Sequence, residues 1–93
     1  MKIVMLVLDF RLDGCMSLKE KRGRLSGIRD RFGHQPNLAV CESDFHDSWK
    51  NAQWSFVAMA GDGTIVDATL EKVVLKIESE IDAQIVGSHR EEL

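Results

Sequence analysis

Two stretches with apolar residues at helical spacing, each set between runs of strand-like alternation, predict an α+β domain of element order βαββαβ. Three features carry this reading: an alternating run at the start, a serine-capped amphipathic stripe after it, and a second stripe beyond the turn Gly61-Asp62-Gly63. The order is that of the ferredoxin-like split β-α-β, a four-stranded antiparallel sheet with two helices on one face. Ninety-three residues with 44% hydrophobic content suffice for one core, so residues 1–93 are read as a single domain without a linker.

Lys2 to Leu12 alternates, with Val4, Leu6, Leu8, Phe10 and Leu12 on one side and Ile3, Met5, Val7, Asp9 and Arg11 on the other. The even side is the greasier and is expected to face the core. Asp13-Gly14 marks a turn. Ser17-Leu18-Lys19-Glu20 has the capping-box pattern, in which the serine oxygen takes one backbone N–H and the glutamate reaches back to another. In the helix that follows, Leu18, Leu25, Ile28 and Phe32 share a stripe, and Gly33 to Pro36 ends it.

Asn37 to about Phe45 and about Lys50 to Ala60 read as two strands joined by His46-Asp47-Ser48-Trp49. From about Thr64 the period becomes helical, with Val66, Leu70, Val73, Val74, Ile77 and Ile81 on one face. The segment from about Ala83 to Glu91 is expected to form the last strand. The exposed sheet face then carries Ile3, Met5 and Val7 with Ser55, Val57 and Met59. So apolar a face is usually covered, and a second copy of the chain, making a homo-oligomer, is the expected cover.

Charge is unevenly placed. The whole chain carries –3, yet between Lys19 and Arg31 six basic residues (Lys19, Lys21, Arg22, Arg24, Arg29 and Arg31) stand against two acidic ones. Arg22 and Arg29 lie one heptad apart on one flank of the apolar stripe, and Arg24 and Arg31 one heptad apart on the other. These six cations are the candidate nucleic-acid-binding set, since phosphate recognition calls for clustered guanidinium and ammonium groups. The bland alternative is a solvated helix face whose arginine stems cover the core edge. Lys21 falls inside the stripe, so its amine either snorkels or pairs with a strand carboxylate. Gly23 and Gly27 are expected on the outward face, leaving a smooth patch for close approach.

Other chemistry finds little support. Glu42, Asp44 and His46 alternate onto one side of a strand, a donor set for a divalent ion, but the spacing matches no dedicated site and a hydrogen-bonded strand end is preferred. Glu42, on the core side, requires a cationic partner, with Lys21 or Arg22 as candidates. Cys15 precedes a helix N-terminus, with His34, His46 and His89 as conceivable bases, but no signature links them. The sequence shows no phosphate loop, no G-x-G-x-x-G and no zinc spacing, so no catalytic residue, cofactor or metal is expected. Trp49 and Trp54 read as packing anchors. The apolar run Ile3 to Leu8 is too short for a membrane span, and Cys15 and Cys41 are expected as reduced thiols, which makes the cytoplasm the expected location and a membrane partner unexpected.

Leu12-Asp13-Gly14-Cys15-Met16-Ser17-Leu18-Lys19-Glu20-Lys21-Arg22 resembles the loop and helix start, roughly L-x-G-x-x-S-L-K-x-K-R, of small bacterial YlxP-like proteins, domain of unknown function 503. Val40-Cys41-Glu42-Ser43-Asp44, Asp47-Ser48-Trp49 and Ala52 extend the likeness. The resemblance implies a ferredoxin-like fold. Its gene setting, among transcription and translation factors and a ribosome-maturation factor, implies a place near RNA or the ribosome. Ser17, Leu18, Lys19, Lys21, Arg22, Glu42 and Trp49 match the pattern without an assigned role, and Gly23 and Gly27 depart from it.

The leading expectation is a non-enzymatic accessory protein docking on RNA or the ribosome through the basic first helix. The alternative is a homo-oligomeric regulatory or scaffold domain that binds a small molecule or protein at the open sheet face. An acylphosphatase-like hydrolase comes third, because the arginine-containing loop that such enzymes carry after the first strand is missing.

Overall fold

A computed structural model describes residues 1–93. The elements run β1 (Lys2–Arg11), α1 (Leu18–Phe32), β2 (Leu38–Asp44), β3 (Asn51–Ala60), α2 (Gly63–Glu80) and β4 (Gln84–Glu92). They form one antiparallel sheet of order β2-β3-β1-β4, with α1 against β2 and α2 against β3 and β1. This is the expected ferredoxin-like architecture.

The parity expected from the sequence holds. Val4, Leu6, Leu8 and Phe10 from β1, with Ala52, Trp54, Phe56 and Ala58 from β3, are buried against Leu25, Ile28 and Phe32 of α1 and Val66, Leu70, Val73 and Ile77 of α2. Phe32 meets Phe56 edge to face at 6.2 Å between centroids, one of the contacts that clamp α1 to the sheet. Leu12 and Cys15 continue this core beneath the loop before α1, where Gly14, at φ 72, makes the left-handed turn that side chains resist.

Helix entry is only half as expected. Ser17 Oγ accepts from Glu20 N at 3.0 Å, but the Glu20 carboxylate turns to Arg24 Nη2 at 2.7 Å instead of completing a capping box. A guanidinium one turn ahead outcompetes a neutral amide for that carboxylate. At α2, Asp62 is the cap: its Oδ1 accepts from both the hydroxyl and the backbone N–H of Thr64. These two bonds, the hydroxyl first, hold the Asp62 carboxyl below the usual carboxylate range.

Two irregularities shape the sheet. Between β1 and β4 the register slips, so that Phe10 faces Ile85 and Asp9 faces Gly87 with Val86 unmatched. A side chain at Gly87 would start 3.0 Å from Asp9 Oδ2, so glycine is what lets that carboxylate lie across β4. The second slip falls between Glu42 and Asp44. It breaks the alternation that would have put Glu42, Asp44 and His46 on one side, and Asp44 Oδ1 accepts from Phe45 N instead.

The uncovered sheet face is graded. Ile3, Met5, Val7, Val57 and Met59 occupy the end near the β1 N-terminus, half-exposed, with Met59 at 44%. Toward the other end a side-chain chain crosses three strands: Ser55 Oγ donates to Ser43 Oγ, Ser43 Oγ to Gln53 Oε1, and Gln53 Nε2 to Asp9 Oδ1 at 3.0 Å. No helix is long and apolar enough to cross a membrane.

Candidate nucleic-acid interface

The six cations of α1 sort into three environments. Lys21 belongs to the fold: it is 2% exposed, and its ammonium donates to Phe45 O at 2.7 Å and Ser48 O at 2.8 Å, with Glu42 Oε2 at 3.8 Å. It therefore leaves the candidate binding set, and of the two partners expected for Glu42 it is Lys21 that serves. The carbonyls it holds sit in the β2–β3 connection, where Phe45 takes the left-handed φ of 61.

Arg24 and Arg31 form the flank facing the C-terminal end of α2, and both are engaged. Arg24 pairs with Glu20 and Asp82 and donates to Asp13 O at 2.8 Å, while Arg31 pairs with Glu80. Their charge is answered within the chain, so they too are displaced from the expected phosphate-binding role. Gly27 lies on this side. A Cβ there would collide with the Arg31 guanidinium and meet Ile81 at 3.0 Å, so Gly27 faces neighbours, and only Gly23 is open as expected.

Lys19, Arg22 and Arg29 remain. All three are exposed, and none has a carboxylate within ion-pair distance. With Ser26 they follow i, i+3, i+7 and i+10 along the flank facing β2, a stripe about 15 Å long at the usual helical rise. Gly23 leaves the surface beside Arg22 low, and the Ser26 hydroxyl is turned inward to Gly23 O.

This stripe borders a groove of about 360 Å³ between α1 and the β2–β3 ladder. Two other concavities exist, but the cations lining them are paired: Arg11 with Asp13, Arg24 as above, and Lys2 and Arg90 with Asp67. Only the α1 groove presents unpaired guanidinium groups, those of Arg22 and Arg29.

Its floor is Trp54, which stands directly opposite Glu42 in the β2–β3 register. Trp54 is 5% exposed, and its indole Nε1–H is the one buried side-chain polar group without a hydrogen-bond partner. Leaving such a donor unsatisfied costs about 1–3 kcal/mol. The Arg29 guanidinium lies over the same ring, 5.6 Å from its centroid. Glu42 accepts no side-chain hydrogen bond; its contacts are the long ones to Lys21 and, at 3.7 Å, to His46 Nε2. The groove is therefore lined by two unpaired guanidinium groups, Arg22 and Arg29, and by two acidic residues, Glu42 and Asp30, over a Trp54 whose indole nitrogen is sealed from solvent.

The remaining candidates do not assemble. Cys15 is fully buried and donates to Ser17 O at 3.4 Å, which makes it a core residue and no nucleophile; Cys41 is a free, exposed thiol. No three His, Cys, Asp or Glu side chains converge as metal ligands.

The model of a family described as a protein of unknown function, DUF503, matches residues 3–90. The chain belongs to this family. The residues that carried the resemblance now have structural places: Ser17 caps α1, Lys21 and Glu42 join α1 to the β2–β3 connection, and Lys19 and Arg22 lie on the free stripe. Trp49 is 48% exposed in the connection itself.

No curated protein matches the chain. Among solved structures it is similar to a candidate chlorite dismutase, with TM-score 0.57 and 15% identity over 99% of this chain. The chain spans 44% of the length of that protein. It is also similar to a candidate antibiotic biosynthesis monooxygenase from Bordetella bronchiseptica, with TM-score 0.51 and 10% identity over 98% of this chain and 96% of the other. At these identities the likeness concerns the fold alone.

Sequence reasoning singled out the basic helix but missed the groove. Which cations are free depends on Glu80 and Asp82 at the corner between α2 and β4, and the Glu42–Trp54 pairing depends on strand register. Neither has a local signal.

Proposed function

We propose that this DUF503 chain is a non-enzymatic accessory protein that docks on structured RNA, free or within the ribosome, through Lys19, Arg22 and Arg29. The observation that carries the reading is the sorting of charge on α1. One flank is neutralised by Glu20, Glu80 and Asp82, and the other keeps three exposed, unpaired cations in line. A chain of net charge –3 gains nothing in solubility from such a stripe, whereas a polyanion releases counterions on meeting it. Lys19 and Arg22 also belong to the segment that resembles the family hallmark, and the implied gene setting agrees with an RNA partner.

The test is co-sedimentation with ribosomes and with protein-free ribosomal RNA at low and high salt. Wild-type chain is expected to pellet at low salt and be released at high salt, and Arg22→Glu/Arg29→Glu to stay in the supernatant at both. Absence of salt-sensitive binding by the wild type overturns the reading.

A second reading rests on the open sheet face. The patch of Ile3, Met5, Val7, Val57 and Met59 is itself uncharged, with Glu91 and His89 of β4 bordering it beside Met5 and Val7, so a second copy related by a two-fold axis can set the apolar rows together with these polar groups at the rim. This is the homo-oligomeric alternative, and it is compatible with RNA docking because the stripe lies on the opposite side of the sheet.

A further inference from the structure

We infer that the connection between β2 and β3 is a base-stacking tip, on which Phe45 and Trp49 take unstacked bases of single-stranded RNA. The inference rests on the RNA reading above and adds to its phosphate contacts a site for the bases.

Two aromatic side chains are left half in solvent on one turn. Phe45 is 43% and Trp49 48% exposed, so Trp49 is not the packing anchor that its sequence setting suggests. The turn is closed by Ser48 N donating to Phe45 O at 3.0 Å, and further bonds hold it: the buried Lys21 ammonium donates to the Phe45 and Ser48 carbonyls, Asp44 Oδ1 accepts from Phe45 N, and Ser48 Oγ accepts from Asn51 N. Within this frame Phe45 keeps a φ of 61, a left-handed conformation that bulky side chains resist. Glycine or asparagine would hold the same backbone at less cost, so the fold does not account for a phenyl ring there. An aromatic side chain on a backbone fixed in advance loses little freedom on binding.

Charge assigns the occupant. Lys19 and Arg22, both unpaired, flank Lys21 on α1, and Arg22 lines one groove with His46, the residue after Phe45. Glu42 in that groove is met by Lys21 and His46. The connection itself carries exposed Asp44 and Asp47 beside Lys50. These two carboxylates repel a phosphate at the tip, and they would be pressed against an anionic lipid surface if the aromatics entered it, which disfavours a membrane. A single strand meets both demands: its phosphodiester keeps to Lys19 and Arg22, and its uncharged bases reach Phe45 and Trp49. Every base has a π face, so the tip selects unpaired over paired RNA and no particular base.

The experiment titrates the whole protein with oligouridylate and with an abasic oligoribonucleotide of equal length, which keeps the phosphates and lacks the bases. Oligouridylate is expected to bind about tenfold tighter and to quench Trp49 emission. In Trp49→Phe the quenching is expected to vanish while most of the affinity stays, because phenylalanine still stacks. Phe45→Asn/Trp49→Leu, in which asparagine suits the left-handed turn, is expected to remove the advantage of oligouridylate and leave the salt dependence of binding unchanged. Equal affinity of the wild type for both oligomers, or an undiminished advantage in the double variant, overturns the stacking tip and leaves RNA docking standing. Failure of the wild type to bind either oligomer, or any ribosomal RNA, removes both.

Discussion

The ammonium of Lys21 donates to the carbonyl of Phe45 at 2.7 Å, joining the first helix to a left-handed residue in the connection between β2 and β3. This tie crosses 24 positions of sequence and adds the Ser48 carbonyl as a second acceptor. It fixes the wall of the groove that Glu42 and Trp54 share.

Lys21→Met, which keeps the stem and removes the charge, is expected to lower unfolding free energy by about 2–3 kcal/mol, because two charge-assisted hydrogen bonds are lost. Urea denaturation measures it. Glu42→Gln is expected to cost less than about 1 kcal/mol, because Lys21 retains both carbonyls and the ion pair at 3.8 Å is long. An inert Lys21→Met would show that the connection does not need the helix.

Most of the fold was legible because it is written in local periods. The alternation of β1, the Ser17 cap and the Leu25-Ile28-Phe32 stripe each specify an element without reference to the rest of the chain. The site was legible only in part. Lys21 announced itself by sitting in an apolar stripe, but the bulge between Glu42 and Asp44 and the pairing of Arg24 and Arg31 with residues of the α2–β4 corner are tertiary outcomes. Glu20 is a local case: Arg24, one turn ahead, takes the carboxylate that a capping box would use.

Helix caps give two separable stability effects. Ser17→Ala is expected to cost about 1 kcal/mol by removing the acceptor for Glu20 N. Asp62→Ala is expected to lower the melting temperature near neutral pH. Because the folded Asp62 carboxyl is held below its ordinary value, its contribution is present above the unfolded pKa and is lost as pH falls through the lower, folded one. The difference in melting temperature between wild type and Asp62→Ala should therefore shrink on acidification. A constant difference down to strongly acidic pH would contradict the capping account.

The two arginine flanks should separate stability from binding. Arg24→Glu/Arg31→Glu places like charges against Glu20, Glu80 and Asp82 and is expected to destabilise the fold. Arg22→Glu/Arg29→Glu breaks no ion pair; it loses the Arg29–Trp54 stacking and a basic group in the last turn of α1, and is expected to lower the urea midpoint less than the other pair does. Paired denaturation curves check this, and equal losses would mean that the flanks are not distinct.

Sedimentation velocity tests the open sheet face. The wild type is expected to sediment as a dimer at micromolar concentration and Val57→Glu, which sets a charge in the apolar patch, as a folded monomer. A wild-type chain that stays monomeric removes the second copy.

The central claim is that three unpaired cations on one flank of α1 meet phosphates. It is tested most directly by the salt dependence of RNA affinity. For single-stranded RNA, three contacts predict that log K falls against log salt with a slope of about –2. Arg22→Glu/Arg29→Glu leaves Lys19 as the one contact and should bring that slope to about –0.7 or closer to zero. A slope near –2 that survives in this variant would contradict the claim.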